Sequence, residues 1–197
     1  MIEKVLRYLL KKILFYFNNT RYFYLMNFLK IISGKTDVGK NVSFNQVTRI
    51  TGIGKVNVGN NVTIGFKPGG HFHGSGNEIQ ARLQNSKITI GNNVSTNNNL
   101  LIISCGEIEI GQDCLIGQNV TLMDFEAHGI SPQERNKIGE IGKIKIEDNV
   151  WIGNNVLVLK NVKIGKNTVI AAGSVVTKSI PENTIAGGIP CRVIKPI

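Results

Sequence analysis

His128 is the side chain in this sequence best suited to moving a proton near neutral pH. It lies in the stretch DFEAHGISPQER, just after Asp124 and Glu126. Imidazole has an ordinary pKa of about 6.5, so it can take a proton from an alcohol or amine and give it up again within one cycle. That role requires an acceptor for the far ring nitrogen, and Asp124, Glu126 or a backbone carbonyl could supply it. The other two histidines, His71 and His73, form an HxH pair in GGHFHGSG. On a strand such a pair faces one side and could hold a metal, but no third ligand is near. A polar loop lining a groove is the plainer reading, and no metal is expected. Cys105, Cys114 and Cys191 have neither CxxC spacing nor an even number. They are expected to be reduced thiols in a cytosolic protein, with Cys114 used for packing.

The element that positions these residues is set by a period of six. Ile146, Ile152, Val158, Ile164 and Ile170 open the blocks IEDNVW, IGNNVL, VLKNVK, IGKNTV and IAAGSV. Earlier blocks follow the same rule: VGKNVS, VGNNVT, IGNNVS, IGQDCL and IGQNVT. Neither the 3.6-residue helix nor simple strand alternation gives this spacing. It fits a flat strand followed by a tight corner, with three hexads closing one triangular coil. The leading aliphatic points inward and stacks on its copy in the next coil. Gly and Asn suit the corners because both tolerate the left-handed backbone region. The repeat predicts an all-β chain, a parallel β-helix over residues 34–197. Aromatics fit poorly inside so narrow a prism, and their scarcity in the repeats agrees.

Two stretches break the period. Residues 66–87, rich in Gly and carrying Pro68, are expected to form irregular coils or a loop. A longer excursion, about 123–143, contains His128, and long loops leaving a rigid scaffold commonly carry function. From Pro181 the chain is expected to leave the prism as a tail over 181–197.

Residues 1–33 read as an amphipathic helical segment. Ile2, Val5, Leu6, Leu9, Leu10, Ile13, Leu14 and Phe17 keep helical spacing, with Glu3, Lys4, Arg7, Lys11 and Lys12 largely opposite. Asn18, Asn19 and Thr20 interrupt the pattern before a second apolar stretch, Tyr22 to Ile32, so a helical pair is expected. Neither half has the roughly 20 uninterrupted apolar residues of a spanning helix. No cleavable leader is apparent, since no small-residue cleavage site follows. Residues 1–35 hold +6 of the chain's net charge of +10. The segment could pack on the end of the β-helix or on a neighbouring subunit, or rest on an anionic membrane surface. Nucleic acid is not expected as a partner, because no binding motif accompanies the charge.

The stretch IEDNVWIGNNVLVLKNVKIGKNTVIAAGSVVTKSIPENTIAGGIPCRVI resembles the hexapeptide-repeat acetyltransferases. NVWIG, AAGSVVTK and AGGIPCRVI together carry the resemblance, which is strongest over residues 88–197. Within that family it is most similar to the galactoside, maltose and polysaccharide O-acetyltransferase branch. The resemblance implies a left-handed parallel β-helix, against the usual right-handed crossover preference, assembled as a homotrimer with sites between neighbouring prisms. It implies acetyl-CoA as co-substrate and His128 as general base on an acceptor hydroxyl, for which Asp124 and Glu126 remain the local candidates for catalytic support. Trp151 and Asn97 are implied beside the acceptor. Asn154 and Ala172 are implied beside pantetheine, and Thr177, Lys178, Arg192 and Lys195 beside the CoA phosphates.

One departure matters: related sugar acetyltransferases often carry an acidic acceptor-binding residue close to Cys105, and this chain has none there. That counts against a galactoside- or maltose-type acceptor. The basic, apolar N-terminus points to a sugar of a surface polysaccharide or its precursor, since those acceptors are assembled at the membrane, with action expected in the cytoplasm, at or near the inner face of the plasma membrane. N-acetylation of an amino sugar is the alternative, and a non-enzymatic β-helix assembly protein is a third reading. A γ-type carbonic anhydrase would need three zinc-binding histidines in a spacing that His71, His73 and His128 do not have.

Overall fold

The computed structural model describes residues 2–197, with side chains described from Lys4 onward. Three parallel sheets of six, eight and six strands form the faces of a triangular prism. They are called faces A, B and C, in the order in which the chain visits them in its first coil: Thr36–Val38, Ser43–Phe44 and Thr48–Gly52. The hexad aliphatics do what their spacing predicts. Ile110, Ile146 and Ile164 stack in register on face A, and Ile116, Ile152 and Ile170 on face B. Ile102, Leu122, Val158 and Val176 do the same on face C. Ile146, Ile152, Val158, Ile164 and Ile170 are all 0% exposed. Burial of these columns is the main source of stability, at about 1.5–3 kcal/mol per side chain.

The corners are held by asparagine. Asn41, Asn61, Asn93, Asn149 and Asn167 all have φ of 56–58°, a region costing about 1–2 kcal/mol for most residues and less for Asn. Their carboxamides pair along the prism: Asn41 donates to Asn61 at 3.1 Å, and Asn61 to Asn93 at 3.2 Å. A second ladder runs from Asn99 through Asn119 to Asn155. Cys114 is fully buried in the core, where desolvation pushes its thiol up to about 11.

Four expectations need correction. The N-terminal segment is not a helical pair. α1 (Ile2–Asn19) and α2 (Leu25–Ile32) join through a π-helical turn at Thr20–Tyr24, with right-handed helical backbone at both junctions. The reason lies in the first coil, whose outer edge has unpaired backbone groups. Asn19 accepts from Phe44 N at 2.8 Å and donates to Val42 O at 2.7 Å. Asn27 accepts from Ile50 N at 2.6 Å and donates to Thr48 O at 2.8 Å. Asn19, which seemed to interrupt a helix, and Asn27, within the second apolar stretch, fasten it to the prism, as a cover over an open sheet edge. An aromatic does enter the prism: Phe44 is fully buried and stacks on Phe23, centroids 3.7 Å apart. The end coil has no further coil above it, and the helix supplies the matching ring.

The break at 66–87 is shorter than expected, because Asn77–Ala81 is a regular face C strand between Thr48–Gly52 and Leu101–Ser104. The C-terminal residues do not leave the prism. Thr184–Gly188 extends face B beside Val169–Ile170, and Cys191–Pro196 folds back antiparallel on it. Buried Ala186 continues the inward column, and buried Cys191 closes it.

Candidate active site

The excursion leaves face C after Met123 and rejoins face A at Lys143. Its root is fastened by Asp124, whose side chain is fully buried. The carboxylate accepts from Ser104 Oγ at 2.6 Å, Cys105 N at 2.8 Å and Gly106 N at 3.1 Å, all on the preceding coil. Burial pushes the Asp124 carboxyl above its ordinary range, with those donors pulling the other way. Its own carbonyl accepts from Gly142 N at 2.7 Å, closing the loop's neck. Gly142 leaves room there for the Asn161 carboxamide, whose Oδ1 would lie 2.3 Å from an added Cβ.

Beyond the neck the loop is a two-stranded ribbon. Phe125 bridges Ile141, Glu126 N donates to Glu140 O, and Gly129 N donates to Lys137 O. Lys160, from the next coil, reaches Glu126 at 3.2 Å and also pairs with Glu140. Arg82 lies over the Phe125 ring, 4.8 Å from its centroid. The loop is thus braced from the coils on either side of its root.

His128 sits exposed on this ribbon, and its Nδ1 lies 2.7 Å from the carbonyl oxygen of Arg135. A carbonyl only accepts, so Nδ1 carries the proton and Nε2 is left with its lone pair. This is the tautomer a general base needs. The acceptor is the backbone carbonyl rather than either carboxylate. Asp124 is turned into the prism and Glu126 toward Lys160, so their support is for the loop and not for the imidazole. A carbonyl acceptor leaves no trace in residue type, so the three candidates could not be told apart from the residues alone.

Trp151 stands on the outer surface of face B, 55% exposed, paired in register with Leu115 and Val169. Asn97 is half-buried at the corner between faces B and C, its Oδ1 accepting from Asn98 N at 2.8 Å. Asn154 and Ala172 lie exposed at that same corner on successive coils. Thr177 and Lys178 are at the corner between faces C and A, and Arg192 and Lys195 are on the antiparallel return of face B. The structure therefore groups Asn97, Asn154 and Ala172 along one edge and places Trp151 beside it. It does not bring His128 to them. The loop springs from the corner between faces C and A, and in a triangular prism that corner is opposite face B.

Two residues that the sequence reading passed over organise the 66–76 loop. Asn98 donates to Phe66 O and Gly70 O, both at 2.9 Å. Gln46 donates to His71 O at 2.8 Å and accepts from Asn99 N at 3.0 Å. Both are buried amides inside the prism, where an uncharged side chain with donors and an acceptor can satisfy several backbone groups at once. Their burial, invisible in the sequence, was the missing signal. His71 adopts left-handed backbone at φ 56°, and no group of three metal-ligating side chains occurs among the described residues.

Two family models match the chain. Bacterial transferase hexapeptide (six repeats) covers residues 143–178, and hexapeptide repeat of succinyl-transferase covers residues 107–131. The galactoside O-acetyltransferase of Escherichia coli K12 is 46% identical over 114 residues, 57% of this chain and 55% of that protein. The chain spans about half the length of the curated relatives it matches. A galactoside acetyltransferase solved in complex with coenzyme A is 29% identical, with a TM-score of 0.56, and the match covers 96% of this chain and 80% of that one. An N-acyltransferase from Bacillus cereus, solved with dTDP and coenzyme A, shares the fold with a TM-score of 0.62 at 22% identity, over 89% of this chain and 90% of that one. The handedness expected of the β-helix is the left-handed one of these neighbours. The chain thus carries hexapeptide-transferase repeats over residues 107–131 and 143–178, and over some 114 residues it is similar to the galactoside O-acetyltransferases.

Proposed function

We propose that this protein is an acetyl-CoA-dependent O-acetyltransferase acting on a sugar hydroxyl of a surface polysaccharide or its precursor. One observation carries the reading: the Arg135 carbonyl fixes the His128 tautomer and leaves Nε2 as an exposed proton acceptor. Nε2 takes the hydroxyl proton as the sugar oxygen attacks the thioester carbonyl. The C–S bond then breaks, and His128 returns the proton to the departing sulfur, giving the acetyl ester and the free thiol. Base assistance of this kind contributes about 10²–10⁴ in rate.

The same reading makes the site a shared one. His128 lies opposite Trp151, Asn97, Asn154 and Ala172 within one prism, so a second copy must bring the imidazole to them. A side-by-side homotrimer does this three times over. The small side chains of Ala171 and Ala172 at the face B–C corner leave room for a slender pantetheine chain, and Thr177, Lys178, Arg192 and Lys195 are exposed toward solvent to meet phosphates. Dependence on acetyl-CoA makes the cytoplasm the site of action.

The test is incubation of the protein with acetyl-CoA and a panel of neutral, acidic and amino sugars and oligosaccharides, read by thiol release and mass shift. Ester formation that disappears in His128→Ala supports the proposal. Amide formation would move the chemistry to amino sugars. Absence of transfer, together with no thermal stabilisation by millimolar CoA, would leave a β-helix with a structural role.

A further inference from the structure

The N-terminal helix is built the wrong way round for a helix that only packs on its own chain. An amphipathic helix normally buries its apolar stripe. This one buries Asn19, Phe23 and Asn27 against the first coil and turns its stripe away. Leu6, Leu10, Ile13, Leu14 and Phe17 lie opposite Asn19 around the helix, and Leu25, Leu29 and Ile32 lie opposite Asn27, with Phe28 on the flank of the stripe. All nine are between 51% and 74% exposed. From Leu6 to Ile32 the stripe runs about 40 Å at 1.5 Å per residue. Lys4, Lys11 and Lys12 are on the Asn19 side of the helix, and every residue from Lys4 to Leu14 is exposed. An apolar surface of this length on a chain needs a partner.

We propose that this stripe docks on an anionic membrane surface, with the prism standing above it. Charge and direction both point to that occupant. Residues 1–35 carry +6 of the net +10, the sign that anionic headgroups attract. The lysines lie between the stripe and the prism, at the level headgroups would occupy once the leucines enter the acyl boundary. Among the described residues no helix is long and apolar enough to cross a membrane, so the helix would lie along the surface. A second copy placed side by side does not compete for the stripe. The helix spans the strands of the first coil, so the face opposite them points along the prism axis, away from lateral neighbours.

Sedimentation with vesicles tests this without reference to the transfer reaction, so its outcome is separate from that of the acetylation assay. Full-length protein is spun with phosphatidylcholine vesicles made with and without phosphatidylglycerol. Wild type should bind only the anionic vesicles and lose at least about tenfold in partitioning in about 0.5 M salt. Leu10→Ser/Ile13→Ser should lose at least about tenfold in low salt, since each leucine or isoleucine withdrawn from the apolar phase weakens partitioning by roughly that factor. Both residues are exposed, and an unchanged melting curve verifies the fold of the variant. Should that variant misfold, Lys11→Gln/Lys12→Gln is expected to weaken binding to the same anionic vesicles. Failure of wild type to sediment, or equal sedimentation of wild type and both variants, overturns the proposal. So does a fall in oligomer mass in Leu10→Ser/Ile13→Ser without vesicle binding by wild type, which would assign the stripe to a second copy meeting it end to end.

Discussion

The imidazole of His128 and the carbonyl of Arg135 are joined across the excursion ribbon by a 2.7 Å contact, seven residues apart in sequence. The proton on Nδ1 is therefore held by backbone, and no carboxylate has to be ionised for the base to be ready. His128→Ala should lower acetyl transfer by at least about a hundredfold while leaving the oligomer and melting temperature unchanged, because the ring is exposed and buries no core surface. Near-wild-type turnover would remove the imidazole from the reaction.

Asp124 works one step behind. Its carboxylate collects three donors from Ser104, Cys105 and Gly106, and an amide in its place would turn an NH₂ toward some of them. Asp124→Asn should cost about 1–3 kcal/mol locally and loosen the loop's neck. Tryptic cleavage after exposed Arg135 or Lys137 should then accelerate more than global unfolding does. There is also a pH signature. Burial raises the folded carboxyl above its ordinary value of 3.8. The stability linked to its titration is thus fully present below that value and is lost as pH rises through the folded value. The melting-temperature gap between wild type and Asp124→Asn should be largest in acid and narrow toward neutrality; a gap independent of pH would contradict the assignment.

How much of this was readable beforehand depends on whether a residue's role leaves a pattern. The inward columns were legible because Ile146, Ile152, Val158, Ile164 and Ile170 must recur every six residues to stack. The corner asparagines were legible because few other residues tolerate positive φ. The excursion was legible as a lapse in that beat. The roles of Asn19 and Asn27 were not, since Asn19 looks like a breaker, and Asn27 a lone polar residue in an apolar stretch, until the edge they satisfy is known. Asn98 and Gln46 escaped for the same reason: their partners are backbone groups of a distant loop. The end of the chain was misjudged because GGIPCRVI breaks the hexad while Thr184–Gly188 still pairs as a strand.

The helix cover makes its own prediction. Asn19→Ala would leave Phe44 N and Val42 O of the first coil without partners, and Asn27→Ala would do the same to Ile50 N and Thr48 O. Each substitution should cost about 1–3 kcal/mol per orphaned buried group, seen as a lower melting temperature. Asn18→Thr, at a half-buried position, and Thr20→Ser, at an exposed one, should change little. Equal melting of all variants would show that the helix is not fastened this way.

Exposed cations at the far end of the prism should act on the donor alone. Lys178→Ala and Arg192→Ala are expected to raise KM for acetyl-CoA about tenfold with kcat little changed, as for contacts made equally in ground and transition states. An effect confined to acceptor KM would move the donor elsewhere.

The opposition of His128 and Trp151 across one prism allows a complementation test of the shared site. His128→Ala removes the proposed base, and Trp151→Arg places a charged side chain where an exposed aromatic surface stands on face B. Each homogeneous assembly should be nearly inactive. In assemblies reconstituted from both, some interfaces combine His128 from one variant with Trp151 from the other, and these are complete. Mixing should therefore restore activity well above the sum of the two parents. Such recovery is impossible if both residues serve a site within a single chain, because every chain in the mixture is defective. Trp151→Arg changes an outward side chain and leaves buried Ile152 in its column, so the variant should fold and assemble as wild type. A mixture that stays at the level of its parents, with mixed assemblies confirmed by mass, would place base and aromatic in separate sites.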